Sequence, residues 1–341
     1  MKSRARHLVF AAALAAGAFS ALPAQAQVVN VYTTREPRLI QPLFDLFTKE
    51  TGIKVNSIFI EKGVAERVAA EGANSPADVL MAVDIGNVLD FVARGVTQPV
   101  QSKVLTEAIP ANLRDKDGQW FALSLRARLF YVSKDRVKET ALTYADLADP
   151  KWKGKVCIRS GQHPYNTALI AAYINHYGAE KAEAWLRGVK ANLARKPAGG
   201  DREVARDILG GICDIGVGNS YYVGLMRGGK NEEQNKWGAA INVIFPTFPG
   251  GGTHVNISGA SVTKNAPNKE NAIKLLEFLV SPEAQAAYAK VNHEYPVRPD
   301  VTPDPIIAAL GPLKTDQIDL TAIAKNRKLA AELADKVGFD Q

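Results

Sequence analysis

Two tyrosines, Tyr221 and Tyr222, stand side by side in VGNSYYVG, directly after the apolar run ICDIGVG. On a strand, neighbouring side chains point to opposite faces and share no partner; at a strand-to-helix turn both phenols can converge. A third tyrosine is tied to them by spacing. Cys157 lies eight residues before Tyr165, and Cys213 lies eight before Tyr221. If the cysteines are bridged, their Cα atoms sit roughly 4.4–6.8 Å apart and their strands are neighbours. If those strands are parallel, both chains leave the sheet at one end, and Tyr165 emerges beside the Tyr221–Tyr222 pair.

Three clustered phenols suit few targets. One is a quaternary amine held in an aromatic cage. Another is a cation of high charge density bound by phenolates. Ionising each phenol at neutral pH costs about 4 kcal/mol, because its pKa is near 10. Ferric iron is the biological cation that readily offsets three such costs. Calcium and magnesium call for carboxylates and carbonyls, and zinc for histidine and thiolate. The competing reading is three half-buried packing tyrosines with their hydroxyls on water or carbonyls.

The elements that must position these residues begin with a leader. MKSRARHLVFAAALAAGAFSALPAQAQ has Lys2, Arg4 and Arg6 before an apolar core from Leu8 to Leu22, then Ala24-Gln25-Ala26 as an A-x-A cleavage site. It reads as a secretory signal over residues 1–26, giving an exported protein, and the periplasm is the natural compartment. Formal charge is +7, and the leader carries three of those positives and no acid, which leaves +4. No lysine- or arginine-rich run stands out, so nucleic acid is not an expected partner. In an oxidising compartment the two cysteines are expected to form a disulfide, with two buried thiols as the alternative.

VVNVYTT, IKVNSIFI and ADVLMAVD read as strands, separated by helices in PRLIQPLFDLFTKETG and GVAERVAAEGANS. In the first helix Leu39, Leu43, Leu46 and Phe47 form one apolar face, and Gly52 closes it. This alternation predicts an α/β fold with a parallel sheet, whose ligands sit beyond the carboxyl ends of the strands. WFALSLRARLFYVSK is an alternating strand with Arg126 and Arg128 on one face, expected to carry the chain into a second lobe. There KVCIRSG and CDIGVGN are strands and PYNTALIAAYINHYG a helix. NKENAIKLLEFLVSPEAQAAYAKV and TAIAKNRKLAAELADKVGF are further helical stretches, and PGGGTHVNISGASV is glycine-rich. The expected division is residues 27–125 with 251–300 in an N-terminal lobe and 126–250 with 301–341 in a C-terminal lobe. No G-x-S-x-G or H-E-x-x-H occurs, so a binding protein is expected rather than an enzyme.

VYTTREP, ETGIKVN, SPADVLMAVD, RARLFYVSKDRV, YADLADPKWKGKVCIRSG, YNTALIAA, GGDR, GNSYYVG, NISGASV and HEYPV occur in this order. With them the chain resembles the periplasmic ferric ion-binding proteins of bacterial iron ABC importers. The resemblance implies a two-lobed type II periplasmic binding protein fold with a hinged interdomain cleft that closes on Fe³⁺. It implies Tyr165, Tyr221 and Tyr222 as metal ligands, and a synergistic anion of the carbonate type held by Arg126. It also implies a monomer that delivers iron to an inner-membrane ABC permease. The rival cargo on such a fold is a polyamine, a thiamine-like solute or an organic anion, with the tyrosines as a stacking box. Where other branches carry a histidine ligand after the first strand, this chain has Glu36 and Pro37. Glu36 is read as a helix cap, Asp84 as an extra ligand through water, and Arg35 and Asn219 as anion contacts or turn residues. His163 is read as a surface residue.

Overall fold

The computed structural model describes residues 27–341, so the leader expected over 1–26 lies outside the described residues. Strands β1 (Val28–Thr33), β2 (Lys54–Phe59) and β3 (Val79–Val83) run parallel in the order β2-β1-β3, joined by α1 (Pro37–Thr51) and α2 (Val64–Glu71). Pro37 opens α1 with its fixed φ, and Gly52 ends it at φ +73°, its N–H bonded to the Thr48 carbonyl. The buried face of α1 is Ile40, Leu43, Phe44 and Phe47; Leu39 and Leu46 are only half-buried at its edge. After α3 (Ile85–Ala93), β4 (Thr97–Gln98) and α4 (Lys103–Ala108) comes β5 (Phe121–Ser133). Every one of the thirteen residues of β5 is buried, so its alternation divides two covered faces rather than core from solvent.

Next follow β6 (Val156–Cys157), α5 (Pro164–Tyr177), α6 (Ala179–Ala191), α7 (Asp201–Leu209), β7 (Ile215–Asn219), α8 (Ser220–Gly228), α9 (Glu232–Ala239) and β8 (Ile241–Ile244). The glycine-rich stretch contains β9 (Val255–Thr263), a fully buried strand. The helical stretch after it divides into α10 (Lys269–Leu279) and α11 (Pro282–Asn292). The break falls where Pro282 lacks an N–H to continue α10, and the Ser281 side chain accepts from the Ala284 N–H to start α11. β10 (Tyr295–Pro296) and α12 (Pro305–Ala308) precede the tail, which also forms two helices, α13 (Leu320–Lys325) and α14 (Arg327–Lys336).

The strands follow the order β2-β1-β3-β9-β5-β7-β6, with β4 on β9 and β8 and β10 on β5. The first part of β5, up to Ala127, pairs with β9; from Arg128 onward it pairs with β7. One strand thus belongs to two halves of the molecule, and β9 returns alongside it. β6 and β7 are parallel, Cys157 lies opposite Gly216, and Cys157 and Cys213 form the expected disulfide with Cα atoms 5.8 Å apart. At Gly216 a Cβ would stand 2.5 Å from the Cys157 carbonyl oxygen, so only glycine permits this pairing. The bridge spans a sequence separation of 56, which in the chain-entropy treatment stabilises by about 4 kcal/mol. A cleft of about 730 Å³ opens beyond the strand ends, with Arg35 and Asp84 on one wall and Tyr165, Tyr221 and Tyr222 on the other.

Candidate metal centre

Tyr165 is the second residue of α5, after Pro164 and the N-cap His163. The His163 ring Nδ1 accepts from the Tyr165 N–H at 3.2 Å, and the two rings meet edge to face at 4.5 Å. His163 is therefore a half-buried cap beside the phenol, not the surface residue expected. Burial, with the Arg159 charge nearby, lowers its pKa to about 4, which keeps the accepting lone pair free. The loop before it is tied down twice. Asn166 Nδ2 donates to the carbonyls of Arg159 and Ser160 at 2.9 and 3.0 Å, and Asp340 accepts from Ser160 Oγ and Gly161 N–H at 2.7 and 2.8 Å.

Tyr221 and Tyr222 are the second and third residues of α8, immediately after β7, so the pair does sit at a strand-to-helix turn. Ser220 fastens that turn to the crossing strand, its Oγ accepting from the Ala127 N–H at 3.1 Å. Gly218 lies against the Tyr131 ring, 2.2 Å from where a Cβ would stand. Tyr131 in turn donates its hydroxyl to the Asn219 carbonyl. The result brings all three phenols together. Tyr165 and Tyr221 hydroxyls are 3.2 Å apart, and the Tyr221 and Tyr222 ring centroids are 4.2 Å apart at a 36° tilt.

Burial first, then the Tyr165 and Tyr222 phenols, raise the Tyr221 pKa well above 10, with Arg126 opposing. Burial likewise raises Tyr222, helped by Tyr165 and Asp201. Tyr221 and Tyr222 are thus neutral until something cationic arrives among them. Around them lies a collar of guanidiniums: Arg126, Arg128 and Arg159 stand 5.9, 5.9 and 5.1 Å from the Tyr165 ring centroid, and Arg202 5.7 Å from that of Tyr222. Such a collar favours phenolate over phenol once protons leave.

Arg126 and Arg128 do share a side of β5, but each has an acidic partner that sequence reasoning missed. Arg128 pairs with buried Asp201 at 2.5 Å, and its fork also reaches Asn219 Oδ1 at 3.0 Å and Asn166 Oδ1 at 2.6 Å. Asn219 is therefore a scaffold residue of the arginine collar. Arg126 Nη1 lies 3.4 Å from Glu294 Oε1 and 3.3 Å from Ser258 Oγ, and its Nη2 donates to the Ile257 carbonyl. Glu294 also accepts from Arg35 Nη2 at 2.8 and 3.0 Å. Burial alone would raise the Glu294 pKa; the Arg35 and Arg126 charges outweigh it and hold the carboxyl below its usual range.

Arg35 lies in the bend between β1 and α1, and its side chain is buried in an ion pair. Two guanidiniums share one carboxylate, which leaves one positive charge over, and Nε of both Arg35 and Arg126 has no hydrogen-bond partner in the protein. Glu294 and Asp201 were visible as the acids of HEYPV and GGDR; nothing in their spacing marked their partners.

The remaining candidates belong to the walls. Asp84, at φ +82°, caps α3: Oδ1 accepts from the Gly86 N–H at 2.9 Å and Oδ2 from Asn256 Nδ2 at 2.7 Å. Both oxygens are committed to the scaffold. Glu36 occupies the N-cap of α1 yet makes no cap hydrogen bond; its carboxylate faces solvent and pairs with Arg38 at 2.7 Å. Among the described residues no group of three His, Cys, Asp or Glu side chains is placed to hold a metal.

A curled sheet whose two halves exchange strands around a cleft, with the binding groups at the strand ends, defines the two-lobed type II periplasmic binding protein fold. The relatives this chain matches are solute-binding transport proteins, not enzymes. The chain belongs to the bacterial extracellular solute-binding protein family, which it matches over residues 74–314. It is 40% identical to iron uptake protein A1 of Synechocystis sp., covering 93% of this chain and 89% of that one. It is 29% identical to the major ferric iron-binding protein of Neisseria meningitidis serogroup B, covering 99% and 100%. Among solved structures, a Bordetella ferric binding protein superposes with a TM-score of 0.90 at 64% identity, over 92% of this chain and all 100% of that one. A Trichodesmium protein in complex with iron and citrate superposes at 0.88 with 43% identity, covering 92% and 99%.

Proposed function

We propose that this protein captures ferric iron in the periplasm through the phenolates of Tyr165, Tyr221 and Tyr222, and hands it as a monomer to an inner-membrane ABC permease. The observation that carries the reading is the 3.2 Å approach of the Tyr165 and Tyr221 hydroxyls, with Tyr222 stacked on Tyr221, inside an arginine-lined cleft. Three phenolates balance the charge of one ferric ion. A planar oxyanion such as carbonate completes the coordination, gripped by the spare N–H of Arg126 with the unbalanced charge of the Arg35–Glu294–Arg126 cluster behind it. The names of the relatives support ferric iron as cargo.

A stacking box for a polyamine or thiamine-like cation fits poorly. The guanidinium collar repels organic cations, and Tyr221 and Tyr222 already cover each other's faces. On this reading residues 27–125 with 251–300 form one lobe and 126–250 with 301–341 the other. The lobes close about the crossing strands β5 and β9, and closure shields the ion and signals loading to the permease.

Coordination replaces three phenolic protons by one metal ion, so binding is linked to pH. Because Tyr221 and Tyr222 are held above the ordinary phenol range in the free protein, lower pH competes with iron, and affinity falls as acidity rises. Ferric ion delivered from a weak chelator at pH 7 is expected to release about three protons per site, after correction for the chelator. Potentiometric titration in dilute buffer counts them. Binding without proton release would mean that the phenols stay neutral and the ligand set is wrong.

A further inference from the structure

The helix that begins with the tyrosine pair carries a second feature. Along α8, Tyr221, Gly224 and Gly228 are spaced three and four residues apart and so form one stripe. That stripe is notched. A Cβ at Gly224 would meet the Cβ of His293 at 2.4 Å and its Cγ at 2.5 Å; one at Gly228 would meet Ile306 Cδ1 at 2.6 Å. His293 comes from a distant part of the chain, as the cap that ends α11.

His293 adopts φ +54°, a left-handed conformation that glycine takes up more readily than a residue bearing a side chain. Asp304 Oδ1 lies 3.1 Å from the His293 Nδ1 without hydrogen-bond geometry, and the same oxygen accepts from the Ile306 N–H at 3.0 Å. The following residue is Glu294, the carboxylate that fixes Arg35 and Arg126.

We infer that His293 is a positioning residue for the metal centre: its side chain, seated in the Gly224 notch, sets the height and rotation of α8. It thereby fixes where Tyr221 and Tyr222 stand relative to Arg126. The His293–Glu294 dipeptide references the phenol-bearing helix and the anion-holding arginines to a single point of the chain. A left-handed position that glycine would occupy without strain keeps a histidine because the ring is needed as a stop. Gly224 is needed because any larger residue would push the helix off that stop.

This inference rests on the ferric reading of the site, and a double-mutant cycle separates the two. Gly224→Ala, His293→Gly and the double variant are titrated with ferric ion and carbonate, following affinity and the wavelength of the phenolate-to-iron absorption. Thermal unfolding is recorded for each. Gly224→Ala is expected to weaken binding by about tenfold or more and to shift the band; His293→Gly, which removes the stop, to weaken it several-fold. In the double variant the added methyl group occupies the space left by the missing ring. Its affinity should match His293→Gly rather than the product of the two losses.

Strict additivity, or a Gly224→Ala protein with wild-type affinity and band, overturns the positioning role while leaving the ferric reading intact. A wild-type protein that gives no band overturns the ferric reading itself. Should Gly224→Ala alone fail to fold, a double variant that folds and binds like His293→Gly still supports the notch, and one that does not refutes it.

Discussion

Tyr221→Phe is expected to lower ferric affinity by more than about 100-fold, beyond the 10–100-fold that loss of an outer-shell partner typically costs, and to remove most of the visible colour. Tyr221 stands between the other two phenols, with its hydroxyl 3.2 Å from that of Tyr165 and its ring stacked on Tyr222. Phenylalanine keeps the ring, the stacking and the volume, so the fold and the cleft are retained while one oxygen is lost. The free protein loses only the hydroxyl contact with Tyr165, which lines the open cleft, so folding stability should change little. Affinity by competition with a chelator and the ferric absorption spectrum read the effect. A variant that binds and colours like the wild type would exclude Tyr221 as a ligand.

Glu294→Gln is expected to cost about 3–5 kcal/mol of folding stability, the range found when one partner of a buried ion pair is removed. The substitution keeps the shape but strands two guanidiniums, Arg35 and Arg126, in a buried site around one neutral amide. Urea unfolding with an unchanged slope and a lowered midpoint is the measurement. The pH dependence follows the sign of the shift. The Glu294 carboxyl is held below its usual range in the folded state, so its contribution is present above the ordinary carboxylate pKa. It is lost as pH falls through the lower folded value. Added carbonate should restore more stability to the variant than to the wild type, since the uncompensated charge now lies at the anion's place. Equal stability of the two proteins would mean that Glu294 does not neutralise this pair.

The parts of the site that could be read in the sequence were those set by local spacing. Tyr165 and Tyr221 each follow a cysteine by eight residues, and bridged parallel strands convert equal spacing into a shared edge. Strand alternation put Arg126 and Arg128 on one side of β5, whereas the anion role of Arg126 came only from the family resemblance. Glu294 was not, because its partners Arg126 and Arg35 lie 168 and 259 residues away, and no local period carries such a contact. For the same reason β9 read only as a glycine-rich stretch. At Gly259 a Cβ would stand 3.1 Å from the Phe121 carbonyl oxygen, a close approach invisible without the partner strand.

Glu36 shows the opposite failure. A carboxylate before Pro37 has the right position for a cap, yet Arg38 two residues on offers a stronger partner in solvent. Half of the apolar face of α1 was placed correctly, at Leu43 and Phe47, while Ile40 and Phe44 are buried where Leu39 and Leu46 were expected. Periodicity locates such a stripe, but the neighbouring sheet chooses its centre.

Contact between phenolate oxygens and iron is reported directly by the visible spectrum. Purified protein titrated with ferric ion in the presence of carbonate should develop a strong charge-transfer absorption that saturates at one equivalent. A ferric complex that forms at the same stoichiometry but stays colourless would place the metal on other ligands.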